Sequence, residues 1–541
     1  MSKIVALLFF LSSACYFGHA ENRKVVEPTP VNGIRIAWDY SSMQQLAEMG
    51  GYPRMLKMKD NSFIIIYETR RGNIHYKRSY DNGMRWSEPR EVFSQFSYSN
   101  LNGESTVVNM SNPEIIQTEN GDILIACNYR PAKAEIAPYS IVIRRSKDNG
   151  TTWLPAQTLY TAAPRFRDGC WEPSFLQLPD GEAQVYFANE KPYQQSDEQE
   201  ISMVSSTDNG ETWTKEHKTV SFRKNRRDGM PVARIVGDEI VTVIEDNYID
   251  RFKPYTVRTK IRDNWASAVL GDSPRREYAL TEQIDTAAYL GAPYLLVLPT
   301  GETVISYQTN ENRDKDWELS TMEVAIGNKH ARNFDRRTQP FDVPPDKEAK
   351  WNSLALWDEN TIVAVASTNF KSEHIAPWII KGYIIPELRI TGKEIIDYPI
   401  FVGGEDTSNI RTGIGTDDKN LYLECSIRTT SPSEINNICF LFDCGKERYK
   451  ILYAYGGEAK IWKNKDGEWR AIKAEGIKTE LFTEKDGYRV TFDIPKKIIS
   501  LKSQKTIRLN TGLTRNKRPY NTEWVVNSRE DHSQTWLKIE F

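Results

Sequence analysis

Six segments of this 541-residue chain share one layout. Each opens, as a rule, with a polar or aromatic residue, usually followed by Pro. Four or five strand-like residues come next, then a polar turn and a β-rich run. They are YPRMLKMKDNSFIIIYE from Tyr52, NPEIIQTENGDILIACN from Asn112, EPSFLQLPDGEAQVYFAN from Glu172, MPVARIVGDEIVTVIED from Met230, APYLLVLPTGETVISYQT from Ala292 and WNSLALWDENTIVAVAS from Trp351. The start-to-start steps are 60, 60, 58, 62 and 59 residues. Each unit reads as a hairpin whose strands are joined by a turn such as Asp180-Gly181 or Thr300-Gly301. Evenly spaced units of this length, each with several short strands, are the signature of propeller blades. The expected fold is all-β: a six-bladed β-propeller over residues 30–385, followed by a β-sandwich.

A second repeat agrees. SYDNGMRW at 79–86, SKDNGTTW at 146–153 and STDNGETW at 206–213 follow S-x-D-x-G-x-x-W. This pattern resembles the Asp box of sialidase-like propellers. Its expected role is structural: Asp-Asn-Gly makes a tight turn between the third and fourth strands, and the Trp packs between blades.

Other segments bound the chain's setting. Met1–Lys3 and the apolar run Ile4–Ala14 resemble a signal peptide. Gly18-His19-Ala20 offers small residues at the cleavage positions, so cleavage is expected after Ala20 and export to the periplasm or beyond. Cleavage before Cys15, with a lipid anchor, is the alternative, although Ser12-Ser13-Ala14 lacks the usual aliphatic residue. No later run is long and apolar enough for a transmembrane helix. The balance of 71 basic and 73 acidic residues gives no electrostatic reason to expect nucleic acid. Six scattered His, without metal-ligand spacing, argue against a zinc enzyme. No cofactor is implied, and Ca²⁺ has no ligand signature. Five Cys follow the leader, so at least one thiol stays outside any internal disulfide. A monomer is expected. From Pro386 the composition changes. Alternating stretches such as LYLECSI at 421–427, ILYAYGG at 451–457 and YRVTFDI at 488–494 predict the sandwich over 390–541. That domain resembles the family 9-like carbohydrate-binding modules in the segment TDDKNLYLEC.

Blade topology locates the chemistry. The innermost strand leaves one face and the next strand returns to it, so the residues that open and close each hairpin share a rim. The openers are Tyr52-Pro53-Arg54, Asn112, Trp171-Glu172, Met230, Ala292 and Trp351; the closers are Glu68, Asn128, Asn189-Glu190, Glu245-Asp246, Gln308-Thr309 and Ser367. Carboxylates, amides and aromatics suit a sugar, whose faces are apolar and whose edges carry hydroxyls. Arg54, Glu68, Asn112, Asn128, Trp171, Asn189 and Trp351 are therefore expected to bind an oligo- or polysaccharide. Glycosidic hydrolysis needs two carboxyl groups flanking the anomeric carbon. Glu172 and Glu245 come from adjacent blades toward one cavity, and Trp171 beside Glu172 would raise its pKa toward that of a general acid. Glu68 is the spare candidate.

The stretch GCWEPSFLQLPDG at 169–181, followed by RRDGMPVARI and VIED up to Asp246, resembles the two catalytic segments of glycoside hydrolase family 93. The resemblance extends over the propeller and excludes the sandwich. It implies an exo-acting, retaining enzyme on α-L-arabinofuranoside polymers, with Glu245 as nucleophile and Glu172 as acid/base. An exo-α-sialidase is the rival. It needs three arginines for the substrate carboxylate, a Tyr nucleophile with a Glu partner, and an Asp on a blade-one loop. Here Pro53 precedes Arg54, the third hairpin ends Ala188-Asn189-Glu190, and the loop Thr69–Asn73 lacks Asp. Loop cations such as Arg70, Arg71, Arg165, Arg226, Arg227 and Arg313 keep the rival open. A non-catalytic glycan-binding protein is the third reading.

Overall fold

The structure is a computed structural model that describes residues 24–25, 33–397, 402–403, 409–429, 437–501, 505–514, 523–524, 533 and 536–541. The expected leader at 1–20, with Cys15, lies outside them. Six antiparallel sheets stand in a ring, and each innermost strand packs against the next, the sixth against the first. Blade 1 has the strands Gly51–Lys57, Phe63–Glu68, Ile74–Ser79 and Arg90–Phe93; blade 3 has Cys170–Gln177, Ala183–Asn189, Glu200–Ser206 and Lys218–Ser221. Blades 4 and 5 repeat that order, beginning at Asp228–Val236 and Leu290–Val297. Blade 2 carries a fifth strand, Phe96–Ser99. Blade 6 has three strands of its own, Ala349–Asp358, Thr361–Thr368 and Ala376–Pro386, and its outer strand is the N-terminal Ile34–Gln45. The ring is thus closed by pairing its two ends, which the repeat alone did not reveal.

Each blade is buried on both faces, so its strands read as unbroken apolar runs. In Phe63–Glu68, Phe63 and Ile65 join a core with Val363 and Val365 of blade 6. The alternate residues Ile64 and Ile66 join Ile123 and Ile125 of blade 2. The two-residue strand period distributes one run between two neighbours.

Every innermost strand has a bulge at the same place. The register shifts between Gly51 and Arg54, Ser111 and Glu114, Trp171 and Ser174, Gly229 and Val232, Gly291 and Tyr294, and Lys350 and Ser353. The six repeat openers, Tyr52, Asn112, Glu172, Met230, Ala292 and Trp351, have φ between 48° and 53°. These are left-handed values that non-glycine residues adopt at a cost of about 1–3 kcal/mol. The Pro that follows in five repeats sits where the bulge leaves an N–H without a ladder partner, so its missing donor is no loss.

The closing side chains then reach the next blade. Ser367 Oγ accepts from Tyr52 N at 2.8 Å, Glu68 Oε2 from Asn112 N at 3.1 Å, and Asn128 Oδ1 from Glu172 N at 3.0 Å. Glu245 Oε2 accepts from Ala292 N at 2.8 Å, and Gln308 Oε1 from Trp351 N at 2.7 Å. In blade 3 the equivalent residue is Ala188, which pairs with Trp171 and offers no side-chain acceptor to Met230 N. The expectation that Asn189 closes this hairpin is corrected by one residue, and one step along a strand turns a side chain to the opposite face.

The three Asp boxes are one structure repeated. Gly83, Gly150 and Gly210 donate N–H to Ser79, Ser146 and Ser206. Asp81, Asp148 and Asp208 accept from the backbone of residues 85, 152 and 212. The Thr152 and Thr212 hydroxyls, for Asp148 and Asp208, and these backbone bonds hold each carboxyl down to about 2. Trp86, Trp153 and Trp213 each pack into the cluster between their own blade and the preceding one.

The C-terminal region is a sandwich. One sheet is built around Asn409–Thr416, Asn420–Arg428 and Gly487–Pro495; the other around Asn437–Asp443, Arg448–Tyr453 and Thr506–Thr514. Leu423, Val490 and Phe492 of the first meet Phe440, Ile451 and Leu509 of the second in one core, which also takes in Ala37 and Ile385 of blade 6. Arg35 fastens the two domains, pairing with Glu387 at 3.0 Å and donating to Trp536 O at 3.0 Å. Cys127, Cys170, Cys425 and Cys444 are buried free thiols.

Asn128 is fully buried and bridges Glu172 N to Cys170 O, at 3.0 and 2.6 Å. Asn128→Ala removes both contacts and leaves two buried backbone groups unpaired. The expected loss is on the order of 2–4 kcal/mol of unfolding free energy, read from denaturant midpoints at constant m.

Candidate active site

On the rim, blades 3 to 6 surround a cavity of about 480 Å³. Glu172, Met230 and Trp351 enter it from the bulges and Glu245 from its hairpin end. The blade-4 loop 247–252 adds Asn247, Asp250, Arg251 and Phe252; the blade-5 loop 310–317 adds Asn310, Lys315, Asp316 and Trp317. Tyr289 comes from just before the inner strand of blade 5. Its ring lies 5.5 Å from that of Trp317, which meets Trp351 edge-on at 6.2 Å. The result is an aromatic wall facing two carboxyls.

The two carboxyls differ. No protein group among the described residues donates a hydrogen bond to the Glu172 side chain. Burial, then the charges of Glu245 and Glu190, push it up to about 8, against the pull of Arg130 and Arg227. Burial also raises Glu245, to about 7, but Ala292 N–H, the Arg227 charge and Tyr289 hold it lower. At neutral pH Glu172 is thus the better proton donor and Glu245 the better anion.

Glu245 is also oriented. Trp351 N can only donate, so it fixes Gln308 Oε1 as the acceptor at 2.7 Å. Gln308 Nε2 must then donate to Tyr289 Oη, at 3.1 Å. Tyr289 therefore turns its own proton toward Glu245 Oε2, 3.5 Å away. Both donors act on Oε2, and among the described residues none donates to Oε1. Gly291 is required here: a Cβ would lie 2.4 Å from Glu245 Oε2 and 2.1 Å from Tyr289 Oη.

The other sequence-predicted residues separate into two groups. Trp351 lines the cavity. Arg54 lies beneath the rim, 4% exposed, paired with Glu114 at 3.2 Å and stacked on Tyr52 at 4.0 Å. Its guanidinium is occupied by the fold. Glu68 holds Asn112 N, and Asn112 is the opener of blade 2. Asn128 and Asn189 are 0% exposed; Asn189 donates to Tyr160 Oη and Ser202 Oγ, both at 3.0 Å. Neither amide offers a ligand an atom, which corrects their assignment to sugar binding. Trp171 is buried too, donating Nε1 to Glu190 Oε2 at 2.7 Å, so it acts from beneath Glu172. Tyr289, Trp317, Asn310 and the 247–252 loop were missed because they lie between the repeated segments, where no periodicity marks them. Among the described residues no cluster of three or more His, Cys, Asp or Glu could hold a metal ion, and no helix is long and apolar enough to cross a membrane.

Residues 67–279 match the family described as BNR repeat-like domain. The matched span runs through all three Asp boxes and includes both Glu172 and Glu245. No curated protein sequence matches the chain. Among solved structures, an α-L-arabinofuranosidase from Fusarium graminearum with an iminosugar inhibitor is similar at 15% identity, with 66% of this chain and 98% of that one covered and a TM-score of 0.45. An α-L-arabinanase from Penicillium chrysogenum with arabinobiose is similar at 15% identity, covering 66% and 99%, with a TM-score of 0.44. A sialidase from Streptococcus pneumoniae is similar at 12% identity, covering 64% and 70%, with a TM-score of 0.45.

The raised carboxyls of the propeller have a stability consequence. Glu172 keeps its proton to about 8 when folded, above its ordinary 4.5. Between those values the folded state binds more protons than the unfolded one, so this group's contribution falls as pH rises. Glu172→Gln removes the buried charge. The variant should melt above the wild type at pH 8, with the gap shrinking toward pH 5, as followed by calorimetry.

Proposed function

We propose that this chain is an exo-acting, retaining glycoside hydrolase that removes terminal units from a neutral glycan, an α-L-arabinofuranoside polymer. The observation that carries this reading is the pair Glu172 and Glu245, two carboxyls of different protonation facing one aromatic-walled cavity. Glu245 Oε1 attacks the anomeric carbon while Glu172 protonates the departing oxygen. Glu172, now ionised, takes a proton from water, which attacks the glycosyl–Glu245 ester and restores both groups. The cavity carries Glu172, Glu245, Asp250 and Asp316 against Arg251 and Lys315, an electrostatic setting that disfavours an anionic sugar. The segments around Glu172 and Glu245 that resemble family 93 supply the arabinofuranoside.

Glu172→Gln and Glu245→Gln should each lower arabinan turnover at least ~100-fold and leave glycan binding intact. Activity needs Glu245 ionised and Glu172 protonated. The kcat/KM profile should therefore fall below about 7 and above about 8. Full activity in both variants would remove the pair from catalysis; binding without turnover by the wild type would mark a glycan-binding protein.

One observation favours the sialidase reading: Tyr289 donates toward Glu245 as a tyrosine nucleophile with a Glu base would. Tyr289→Phe separates the two. If Glu245 is the nucleophile, the variant keeps arabinan activity lowered by roughly ten-fold, with the acid limb moved to higher pH because Glu245 has lost a donor. If Tyr289 is the nucleophile, the variant is inactive and the wild type releases sialic acid from a sialyl-lactose substrate.

A further inference from the structure

A second groove, of about 610 Å³, lies beside the cavity and meets it at Asn247, which lines both. Its walls come from blades 3 and 4: Phe166 before the inner strand of blade 3, Glu190 and Asp197 between that blade's second and third strands, and Arg226 before the inner strand of blade 4. We propose that this groove is the leaving-group subsite, holding the sugars next to the scissile bond of a neutral polysaccharide. The inference rests on the reading above, because it takes Glu172 as the acid.

Three observations place the leaving group there. An acid must lie against the oxygen it protonates, so the departing sugar sits on the Glu172 side. The groove is on that side, since Phe166 packs at 5.0 Å against Trp171, the residue before Glu172, and Glu190 takes the Trp171 N–H at 2.7 Å. The opposite end of the cavity is walled by Tyr289, Trp317 and Trp351 of blades 5 and 6, which leaves that end to the terminal sugar.

The second observation is Phe166 itself. Its ring is 50% exposed yet held by Tyr139 at 6.0 Å and Trp171 at 5.0 Å, with the Arg130 guanidinium 5.7 Å from its centre. A fixed aromatic ring with open surface on a polar groove is a platform for the apolar face of a sugar. The third is charge. Arg167 pairs with Asp197 at 3.1 Å and Arg227 with Glu190, so most cations of the groove are matched by its own carboxylates. Arg226 is exposed and, among the described residues, its side chain hydrogen-bonds only to Asn225 O at 3.0 Å. Its remaining donors are available to sugar hydroxyls.

The test compares two substrates on wild type, Phe166→Ala and Arg226→Ala. One is para-nitrophenyl α-L-arabinofuranoside, which carries no second sugar. The other is a linear arabino-oligosaccharide. We expect kcat/KM on the oligosaccharide to fall roughly five- to ten-fold in Phe166→Ala and roughly three-fold or more in Arg226→Ala. The aryl glycoside should change less than about two-fold. Equal losses on both substrates in Phe166→Ala would show that the ring only supports Trp171 and Glu172, and would overturn the subsite. No loss on either substrate in both variants would overturn it as well. In those two cases Glu245→Gln, inactive on both substrates, leaves the proposed activity standing. A wild type that hydrolyses neither substrate overturns the activity and the subsite together.

Discussion

The fold depends on one repeated interaction: a side-chain acceptor at the end of one hairpin takes the backbone N–H that opens the next blade. That N–H belongs to a residue in a left-handed bulge, and in a strained bulge at the buried rim of the channel an unpaired donor would add to the strain. Five of the six junctions are made this way, by Ser367, Glu68, Asn128, Glu245 and Gln308. Apolar packing between blades provides the bulk of the cohesion but is tolerant of sliding. The directional bonds set the rotation of each blade relative to its neighbour, and with it the positions of everything on the rim.

The same requirement leaves room for chemistry. A junction needs an acceptor oxygen and does not discriminate among hydroxyl, amide and carboxylate. A serine or an amide satisfies it and has little more to give. A glutamate satisfies it with one oxygen and keeps the other, and Glu245 is such a case. Its Oε2 is held by Ala292 and Tyr289, while its remaining oxygen has no donor among the described residues, and the residue lines the cavity. The exception among the six also fits. Ala188 presents no side chain at the junction between blades 3 and 4, where Met230 and Glu172 line the open space.

Much of this was legible in the sequence, and the limits have physical causes. The six openers read from the repeat are the left-handed residues at the six inner-strand bulges, because Pro after five of the openers and the near-constant hairpin length both follow from the bulge. Five of six closers were placed correctly. Blade 3 failed by one residue, since Ala188 carries no polar signal and the eye moves to Asn189. The assignment of Asn128 and Asn189 to sugar binding failed for a different reason. An amide on a rim can serve the ring or a ligand, and only burial distinguishes them. Tyr289, Trp317 and the 247–252 loop could not be found by period, because loops between repeats carry what the repeats do not share. The pairing of Ile34–Gln45 with Ala376–Pro386 is a contact between the two ends of the propeller, invisible to any local pattern.

Glu172 shows what the arrangement asks of the fold. It occupies a left-handed opener, its backbone is pinned by Asn128, and its carboxyl receives no hydrogen bond from the described residues. A solvated surface would lower its pKa and a hydrogen-bond donor would stabilise its anion; either change would favour folding at neutral pH and remove its proton. The neighbouring Glu190 works the other way. It is tied to Trp171 and Arg227, and its charge raises Glu172 while Arg227 lowers Glu245. Arg227 pulls both carboxyls down, so it is the Glu190 charge that helps to separate the protonation states of two groups that would otherwise compete for the same proton. The bulge keeps Glu172 from withdrawing toward solvent, because moving its backbone would break the Asn128 bond. Rigidity at the junction is thus the condition under which a destabilising carboxyl can persist on the rim.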